Sequence, residues 1–390
     1  MAHLPDIKSL TQAQLADHFK AWDQPNYRVS QLLDWLYARR ATSFEEMSNL
    51  PKTLRAQLAE HFALRTLTLV IRQGAADETC KFLWRLGDGA LIESVVIPAN
   101  PALYGETSDR RTLCVSTQVG CAYGCRFCAS GLEGWRRNLT TDEIVEQCLA
   151  AERWYETDAT QSERAPGAGA VESSPGRGPE KDRWINNLVI MGMGEPLANY
   201  ANLLQALRIL NAPWGGGIGA RKITISTSGL APQIRQLAAE PHQFRLAISL
   251  HGATDVVRNQ IMPINRKYPL RELISACEEY VSRQERMITF EYLLLAGVND
   301  GLDQVMPLVD LARRVRARIN LIAYNPVVGL PYERPTEAVQ NAFLQAVEKQ
   351  GIAATLRREK GGDIDAACGQ LRLKAERQGA NSVGNPLGNP

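Results

Sequence analysis

Three cysteines with short spacing are the residues of this 390-residue chain best suited to chemistry. The stretch VGCAYGCRFCASG places Cys121, Cys125 and Cys128 within eight residues. A structural zinc site takes four protein ligands, and none of the five histidines lies near this stretch in the sequence. Three thiolates instead suit a four-iron four-sulfur cluster that leaves one iron open to a small molecule. The alternative is a zinc site completed by Cys114 or a remote residue.

Composition favours a soluble protein of a reducing compartment. Eight cysteines in 390 residues are too few for a disulfide scaffold, and three of them are gathered in one loop. No run of about 18 apolar residues occurs. The N-terminus, MAHLPDIKSL, lacks a basic region followed by an apolar one. The sequence therefore predicts a cytoplasmic protein that does not associate with membranes.

Hydrophobic patterning divides the chain into four parts. Residues 1–62 read as a helical accessory domain, because apolar residues recur at helical spacing in SQLLDWLYARR. Residues 63–104 contain strand-like runs, two of them joined by Gly-Asp-Gly, which predicts a small antiparallel β extension. Residues 105–362 form the core. Residues 363–390 form a C-terminal segment that carries Cys368 and ends in a flexible tail.

The core alternates apolar strand runs with helical patterns. The strand runs are TLCVSTQ, INNLVIMGMG, KITISTS, FRLAISLH, MITFEYLLL and INLIAYNP. Strands of this kind, separated by helices, predict a parallel sheet covered by helices. An eight-unit barrel usually needs about 250 residues, so six units predict an α/β fold with an incomplete (β/α)6 barrel. Residues 158–182 are rich in Gly, Pro, Ser and charge, and we expect them to be a disordered insertion.

Several motifs together resemble one known family. The loop CAYGCRFC is similar to the cluster motif of the radical S-adenosylmethionine (SAM) enzymes, in which an aromatic residue such as Phe127 commonly precedes the last cysteine. VIMGMGEPLANY, ITISTSG, AISLHG, INLIAYNP, GGDIDAACGQL and EEMSNLPKTLR narrow the resemblance to the RlmN family and its relative Cfr. The similarity covers nearly the whole chain. It implies a radical SAM barrel with a [4Fe-4S] cluster whose open iron chelates the methionine part of SAM.

The resemblance also implies a SAM pocket at the ends of the core strands. In it, Gly194 and Glu195 of GMGEP would hold the methionine part of the cofactor. The remaining pocket residues implied are Ser226, Ser249, Leu250, His251 and Asn325. Without the resemblance, each would read as an ordinary residue of a strand end or turn. The ends of parallel strands meet at one edge of a barrel, where such folds place their sites.

Cys368 stands apart from the other isolated cysteines. Cys148 and Cys277 lie on the apolar stripes of predicted helices and Cys80 lies in a predicted strand, whereas glycines and polar residues surround Cys368. The resemblance implies that Cys368 accepts a methyl group from one SAM molecule. A second SAM molecule then yields a 5'-deoxyadenosyl radical that removes hydrogen from the S-methyl group. The resulting carbon radical adds to carbon 2 of adenine, so each turnover uses two SAM molecules.

Product release would require a base and a second thiol. By resemblance, Glu93 in ALIESVVIP accepts the proton, and Cys114 in TLCVSTQ forms a transient disulfide with Cys368. Judged by pattern alone, Glu93 would be a solvent-facing strand residue and Cys114 a core cysteine.

The family's substrates are RNA. They are an adenine of 23S rRNA and, in some members, the adenine beside the anticodon of tRNA, with electrons from a flavodoxin-type donor. We expect basic pairs at 110–111, 136–137 and 357–358 to contact phosphates. Two alternatives remain at this point: methylation of carbon 8, the Cfr activity, and a non-catalytic zinc-stabilised RNA-binding protein.

Overall fold

The computed structural model of the chain describes residues 4–74, 79–99, 108–163, 183–357 and 369–383. Cys368 and residues 164–182 therefore lie outside the described residues. Among the described residues, no helix is long and apolar enough to cross a bilayer.

The described ranges contain twelve strands. They are β1 (Thr68–Gln73), β2 (Cys80–Arg85), β3 (Leu91–Pro98), β4 (Arg111–Cys114), β5 (Gln118–Gly120), β6 (Trp135–Asn138), β7 (Asn187–Ile190), β8 (Ile223–Thr227), β9 (Arg245–Ser249), β10 (Thr289–Leu294), β11 (Arg318–Ala323) and β12 (Ala354–Arg357). Ten of them form one sheet in the order β1-β2-β3-β4-β7-β8-β9-β10-β11-β12, and β5 pairs with β6 alone.

The sheet has an antiparallel part and a parallel part. Strands β1 to β3 pair antiparallel, as the sequence predicts for the extension, and β3 also pairs antiparallel with β4, the first strand of the predicted core. Strands β4 and β7 to β11 pair in parallel, which confirms the six-unit core. The short strand β12 adds a seventh parallel strand, which the sequence did not predict.

Helices precede the sheet and connect its parallel strands. They are α1 (Gln12–Ala21), α2 (Tyr27–Leu33), α3 (Lys52–His61), α4 (Thr141–Glu163), α5 (Tyr200–Asn211), α6 (Ala231–Ala238), α7 (Asp255–Ile261), α8 (Leu270–Gln284), α9 (Val305–Arg314), α10 (Glu337–Glu348) and α11 (Gln370–Val383). A short π-helical turn, Asp34–Ala38, continues α2. The helical accessory region is confirmed in outline, since α1 to α3 precede the first strand.

Two helices extend into segments predicted to be irregular. Helix α4 continues to Glu163, six residues into the predicted insertion at 158–182. Helix α11 continues to Val383, although residues from 378 onward read as a flexible tail. Both predictions are wrong at these positions. The cause is that a helix, once formed, adds one hydrogen bond per further residue, so it can extend through residues of low propensity.

The two faces of the sheet differ in chemistry. Side chains alternate between faces along a strand, so residues paired across the sheet share a face. One face carries Leu113, Leu188, Ile225, Ile248 and Phe290, all fully buried. The opposite side, called here the inner face, carries a row of polar side chains. By strand register these include Glu93, Cys114, Ser226, Ser249, Glu291 and Asn320.

Candidate active site

The cysteine loop forms the turn of the β5–β6 hairpin. The Cys121 N–H donates to the Gly134 carbonyl at 3.0 Å, and the Cys128 N–H donates to the Cys125 carbonyl at 3.1 Å. Gly120 has φ +74°, and a Cβ added there would lie 1.9 Å from the Gly134 oxygen. The base of the loop therefore requires glycine, which lets the two strands close around the cysteines.

The three half-buried thiols influence one another electrostatically. Burial raises the pKa of Cys121 to about 12, and the Cys128 sulfur adds to the shift. Burial also raises the pKa of Cys125, with both other sulfurs contributing. A thiolate-only donor set is the one that iron–sulfur clusters use, with each sulfur bound to a different iron. The loop thus fits a cluster.

The GMGEP segment lies directly against the chain that leads to the cysteine loop. The Gly192 N–H donates to the Val115 carbonyl at 3.0 Å, and the Thr117 N–H donates to the Met193 carbonyl at 2.9 Å. Gly194 has φ +101°, and a Cβ there would lie 2.6 Å from the Gln118 Cβ. Only glycine allows this approach.

Glu195 is buried beside the same chain. One carboxylate oxygen accepts from the Leu197 N–H at 3.1 Å and the other from the Ser228 N–H at 2.7 Å. Burial raises the pKa of Glu195, and the hydrogen bonds from Ser228 and Leu197 oppose the shift. Each carboxylate oxygen can accept a further hydrogen bond. The side chain therefore keeps the capacity to bind an ammonium group.

Ser226, Ser249 and His251 meet at the ends of β8 and β9. The Oγ atoms of the two serines are 3.3 Å apart. The His251 Nδ1 accepts from the Leu293 N–H at 3.0 Å, which assigns the ring proton to Nε2. Burial lowers the pKa of His251 to about 3, so the ring is neutral at pH 7. The edge of its ring meets Phe127, with 4.9 Å between ring centroids, which joins this group to the cysteine loop.

The other two predicted pocket residues contribute differently. The Leu250 side chain is fully buried, and its N–H donates to the Glu291 carbonyl at 3.0 Å. The Asn325 Oδ1 accepts a hydrogen bond from the Arg334 guanidinium. Leu250 therefore fixes the backbone between Ser249 and His251. Asn325 lies just beyond β11 with its amide already engaged, and its contact with SAM stays a prediction.

Glu93 holds the start of the C-terminal helix. Its Oε2 accepts from the Gly369 N–H at 2.7 Å and its Oε1 from the Arg372 N–H at 2.7 Å. The Lys81 ammonium lies 3.0 Å from Oε2. The expectation from pattern alone, a solvent-facing Glu93, is wrong, since the residue is 2% exposed. A Cβ on Gly369 would lie 2.9 Å from the Ser130 nitrogen, so Gly369 also packs on the cysteine loop.

Cys114 lies close to Glu93 on the inner face. Val95 pairs with Cys114, and Glu93 precedes Val95 by two residues, so both side chains point to the same side. The Ser116 Oγ donates to the Glu93 carbonyl at 2.6 Å and accepts from the Met193 N–H at 3.0 Å. The predicted base, the predicted second thiol and GMGEP are thereby brought together. The role of Cys368, which lies outside the described residues, stays a prediction.

A polar group further along the inner face was not predicted from the sequence. The Asn320 Nδ2 donates to the Glu291 Oε2 at 2.6 Å, and the Thr355 Oγ1 donates to the Asn320 Oδ1 at 3.1 Å. Burial raises the pKa of Glu291, and the charge of Arg357 opposes the shift. A glutamate within the apolar run TFEYLL was the available signal, because a buried strand rarely holds an unpaired acid.

Two family models match parts of the chain. The model of the Radical SAM superfamily matches residues 181–311, and that of the ribosomal RNA large subunit methyltransferase N-terminal domain matches residues 5–64. The crystal structure of a radical SAM methyltransferase from Sphaerobacter thermophilus superposes with a TM-score of 0.81 at 42% identity, covering 94% of this chain and 98% of that one. The fold is that of a radical SAM enzyme, the class that uses a [4Fe-4S] cluster and SAM.

Two curated relatives define the family. The chain is 49% identical to a probable dual-specificity RNA methyltransferase RlmN 3 of Opitutus terrae, over 96% of each chain. It is 44% identical to the dual-specificity RNA methyltransferase RlmN of Anaeromyxobacter dehalogenans, over 94% of this chain and 91% of the relative. The chain belongs to the RlmN family of radical SAM methyltransferases.

Proposed function

We propose that this enzyme methylates carbon 2 of an adenine in 23S rRNA and of the adenine beside the anticodon in tRNA, through an S-methyl intermediate on Cys368. One observation carries the proposal. Gly369, the residue after Cys368 in the sequence, donates its N–H to Glu93 at 2.7 Å and packs on Ser130 of the cysteine loop. The chain that leads out of the predicted methyl carrier is thus fixed between the predicted base and the cluster loop.

Cys121, Cys125 and Cys128 would hold the cluster, and Glu195 with its neighbours would hold the methionine part of SAM. When bound, the cluster and SAM supply a carbon-centred radical that can remove hydrogen from a methyl group. The neutral His251 ring, donating only through Nε2, adds no charge beside that pocket. The backbone approach at Gly194 excludes side-chain bulk where the cofactor binds.

The protein's own residues would carry the polar steps. Carbon 2 of adenine has no lone pair, so a sulfonium cannot transfer a methyl group to it directly, whereas a cysteine thiolate is a nucleophile. Cys368 accepts the methyl group in this scheme. Glu93, fixed on the inner face by Lys81 and two N–H groups, then accepts the carbon 2 proton. Cys114 on the same face attacks the Cys368 sulfur and forms a disulfide as the carbon–sulfur bond breaks. The electron pair of that bond stays with the methylene carbon, which takes up a proton to become the product methyl group, and the one electron left over from radical addition would return to the cluster.

RNA is the proposed substrate because the curated relatives are named for it. Within the pair at 136–137, Arg136 is the better phosphate ligand, since its side chain is 54% exposed and its acidic neighbours are no closer than 3.7 Å. Arg137 instead forms 2.7 Å ion pairs with Asp88 and Glu143, so it supports the hairpin. Replacing Arg136 with alanine should reduce the salt dependence of RNA affinity by about one phosphate contact. An unchanged salt slope would remove Arg136 from the interface. A flavodoxin-type protein is the proposed electron donor.

Product analysis tests the proposal. Full-length enzyme, purified without oxygen, is incubated with SAM, a reductant and either 23S rRNA or tRNA, and the digested RNA is analysed by mass spectrometry. We expect 2-methyladenosine from both RNAs and none with the Cys368→Ala variant. Formation of 8-methyladenosine would contradict the assigned carbon, and product from Cys368→Ala would contradict the assigned carrier.

A further inference from the structure

A fully buried arginine lies behind the cysteine loop. Arg258 of α7 is 0% exposed. Its Nη2 donates to the Ser228 carbonyl at 2.5 Å, and its Nη1 lies 3.4 Å from the Leu250 carbonyl and 3.3 Å from the Met262 sulfur. Its Nε has no hydrogen-bond partner. The guanidinium is therefore held by uncharged acceptors, with one donor left over.

Close packing fixes the position of α7 against the loop. The Arg126 N–H donates to the Ile261 carbonyl at the end of α7, at 2.9 Å. A Cβ on Gly124 would lie 4.0 Å from the Pro263 ring, and one on Gly252 would lie 2.8 Å from the Arg258 Cα. The arginine is thus built into the wall that supports the cysteines.

Arg258 forms no close ion pair with the carboxylate of its own helix, and Asp255 attracts its charge only at longer range. Asp255, one turn earlier, accepts from the Asn265 Nδ2 at 2.8 Å and the Leu270 N–H at 2.9 Å. Burial lowers the pKa of Arg258 to about 10. A buried charge without compensation costs several kcal/mol, so a folded protein needs an anion near it.

We propose that Arg258 is the counter-charge of the iron–sulfur cluster and raises its reduction potential. A [4Fe-4S] core in its oxidised form, bound by three thiolates, carries one net negative charge, and reduction by one electron adds a second. A buried cation nearby stabilises the reduced form more than the oxidised one, because low surrounding polarity strengthens the interaction. The inference rests on the proposed ligation by Cys121, Cys125 and Cys128.

Redox titration of the cluster tests this role. The wild type is compared with Arg258→Gln and Arg258→Met, which remove the charge, and with Arg258→Lys, which keeps it. Arg126→Gln serves as the control. It removes a cation from the same loop, but the Arg126 side chain is exposed to solvent, where ions screen its charge. Each full-length protein is loaded with iron and sulfide without oxygen. The midpoint potential is then measured by electron paramagnetic resonance, and the melting temperature of the unloaded protein is recorded.

We expect the clusters of Arg258→Gln and Arg258→Met, the neutral variants, to be reduced about tenfold less favourably than that of the wild type. This corresponds to a midpoint potential about 59 mV lower for a one-electron step. Arg258→Lys and Arg126→Gln should stay near the wild type. Unloaded neutral variants should melt no lower than the wild type, since they lack an unpaired buried charge. Equal midpoint potentials in all variants would overturn the inference. It would also be overturned if the neutral variants failed to fold, or if Arg258→Lys lost the cluster together with them. A wild type without four irons would instead refute the proposed cluster site itself.

Discussion

Replacing Glu93 should release the start of α11, the helix that follows the predicted methyl carrier. In the Glu93→Ala variant, the N–H groups of Gly369 and Arg372 each lose a carboxylate acceptor at 2.7 Å. A hydrogen bond to a charged group contributes about 1.5 kcal/mol or more. Loss of two lowers the opening free energy of the first turn by about 3 kcal/mol, which corresponds to roughly hundred-fold faster amide exchange. Glu93→Gln keeps one acceptor oxygen and should give about a tenfold change.

Hydrogen exchange measured by mass spectrometry, on peptides covering residues 369–377, reads this effect directly. Asp88→Ala is a matched control, because it breaks the ion pair of Asp88 with Arg137, whose side chains are 48% and 32% exposed. Ion pairs of that kind contribute about 0–1 kcal/mol, so exchange in α11 should not change. If Glu93→Ala leaves exchange within threefold of the wild type, the carboxylate does not hold this helix.

Two further predictions concern the other candidate residues. Cys114→Ala should accumulate a covalent protein–RNA adduct through Cys368, seen as a band of reduced mobility on a denaturing gel, since release needs the second thiol; an active preparation without adduct would refute the role of Cys114. Gly194→Ala should weaken SAM binding at least about tenfold in equilibrium dialysis, because its Cβ would lie 2.6 Å from Gln118 and φ is +101°. Gly219→Ala, where nothing lies within 4 Å, should bind normally. Equal binding by both variants would contradict the proposed pocket.

Local sequence signals predicted the parts of the site that local structure determines. Apolar runs gave the six parallel strands, and the ends of β8 and β9 bring Ser226 within 3.3 Å of Ser249 as expected. The cysteine spacing predicted one short loop that holds all three thiols, and the structure places them in the turn of the β5–β6 hairpin. These features depend on residues close in the chain, so periodicity and spacing were sufficient.

The features that depend on distant pairing could not be predicted in this way. The burial of Glu93 depends on Lys81 of the neighbouring strand and on N–H groups from residues about 280 positions later. The setting of Arg258 likewise depends on carbonyls from the ends of two other strands. A pattern in one strand or helix does not contain the register of its neighbours, so the sequence pattern placed Glu93 on the surface.

The claim on which the account depends is that three cysteines hold a cluster with one iron open to SAM. The direct measurement is iron and sulfide content, with electron paramagnetic resonance of the reduced protein before and after SAM is added. We predict four irons and four sulfides per chain, a spectrum that changes with SAM, and loss of both in Cys125→Ala. Stoichiometric zinc in colourless protein, or a cluster spectrum that SAM leaves unchanged, would contradict the account.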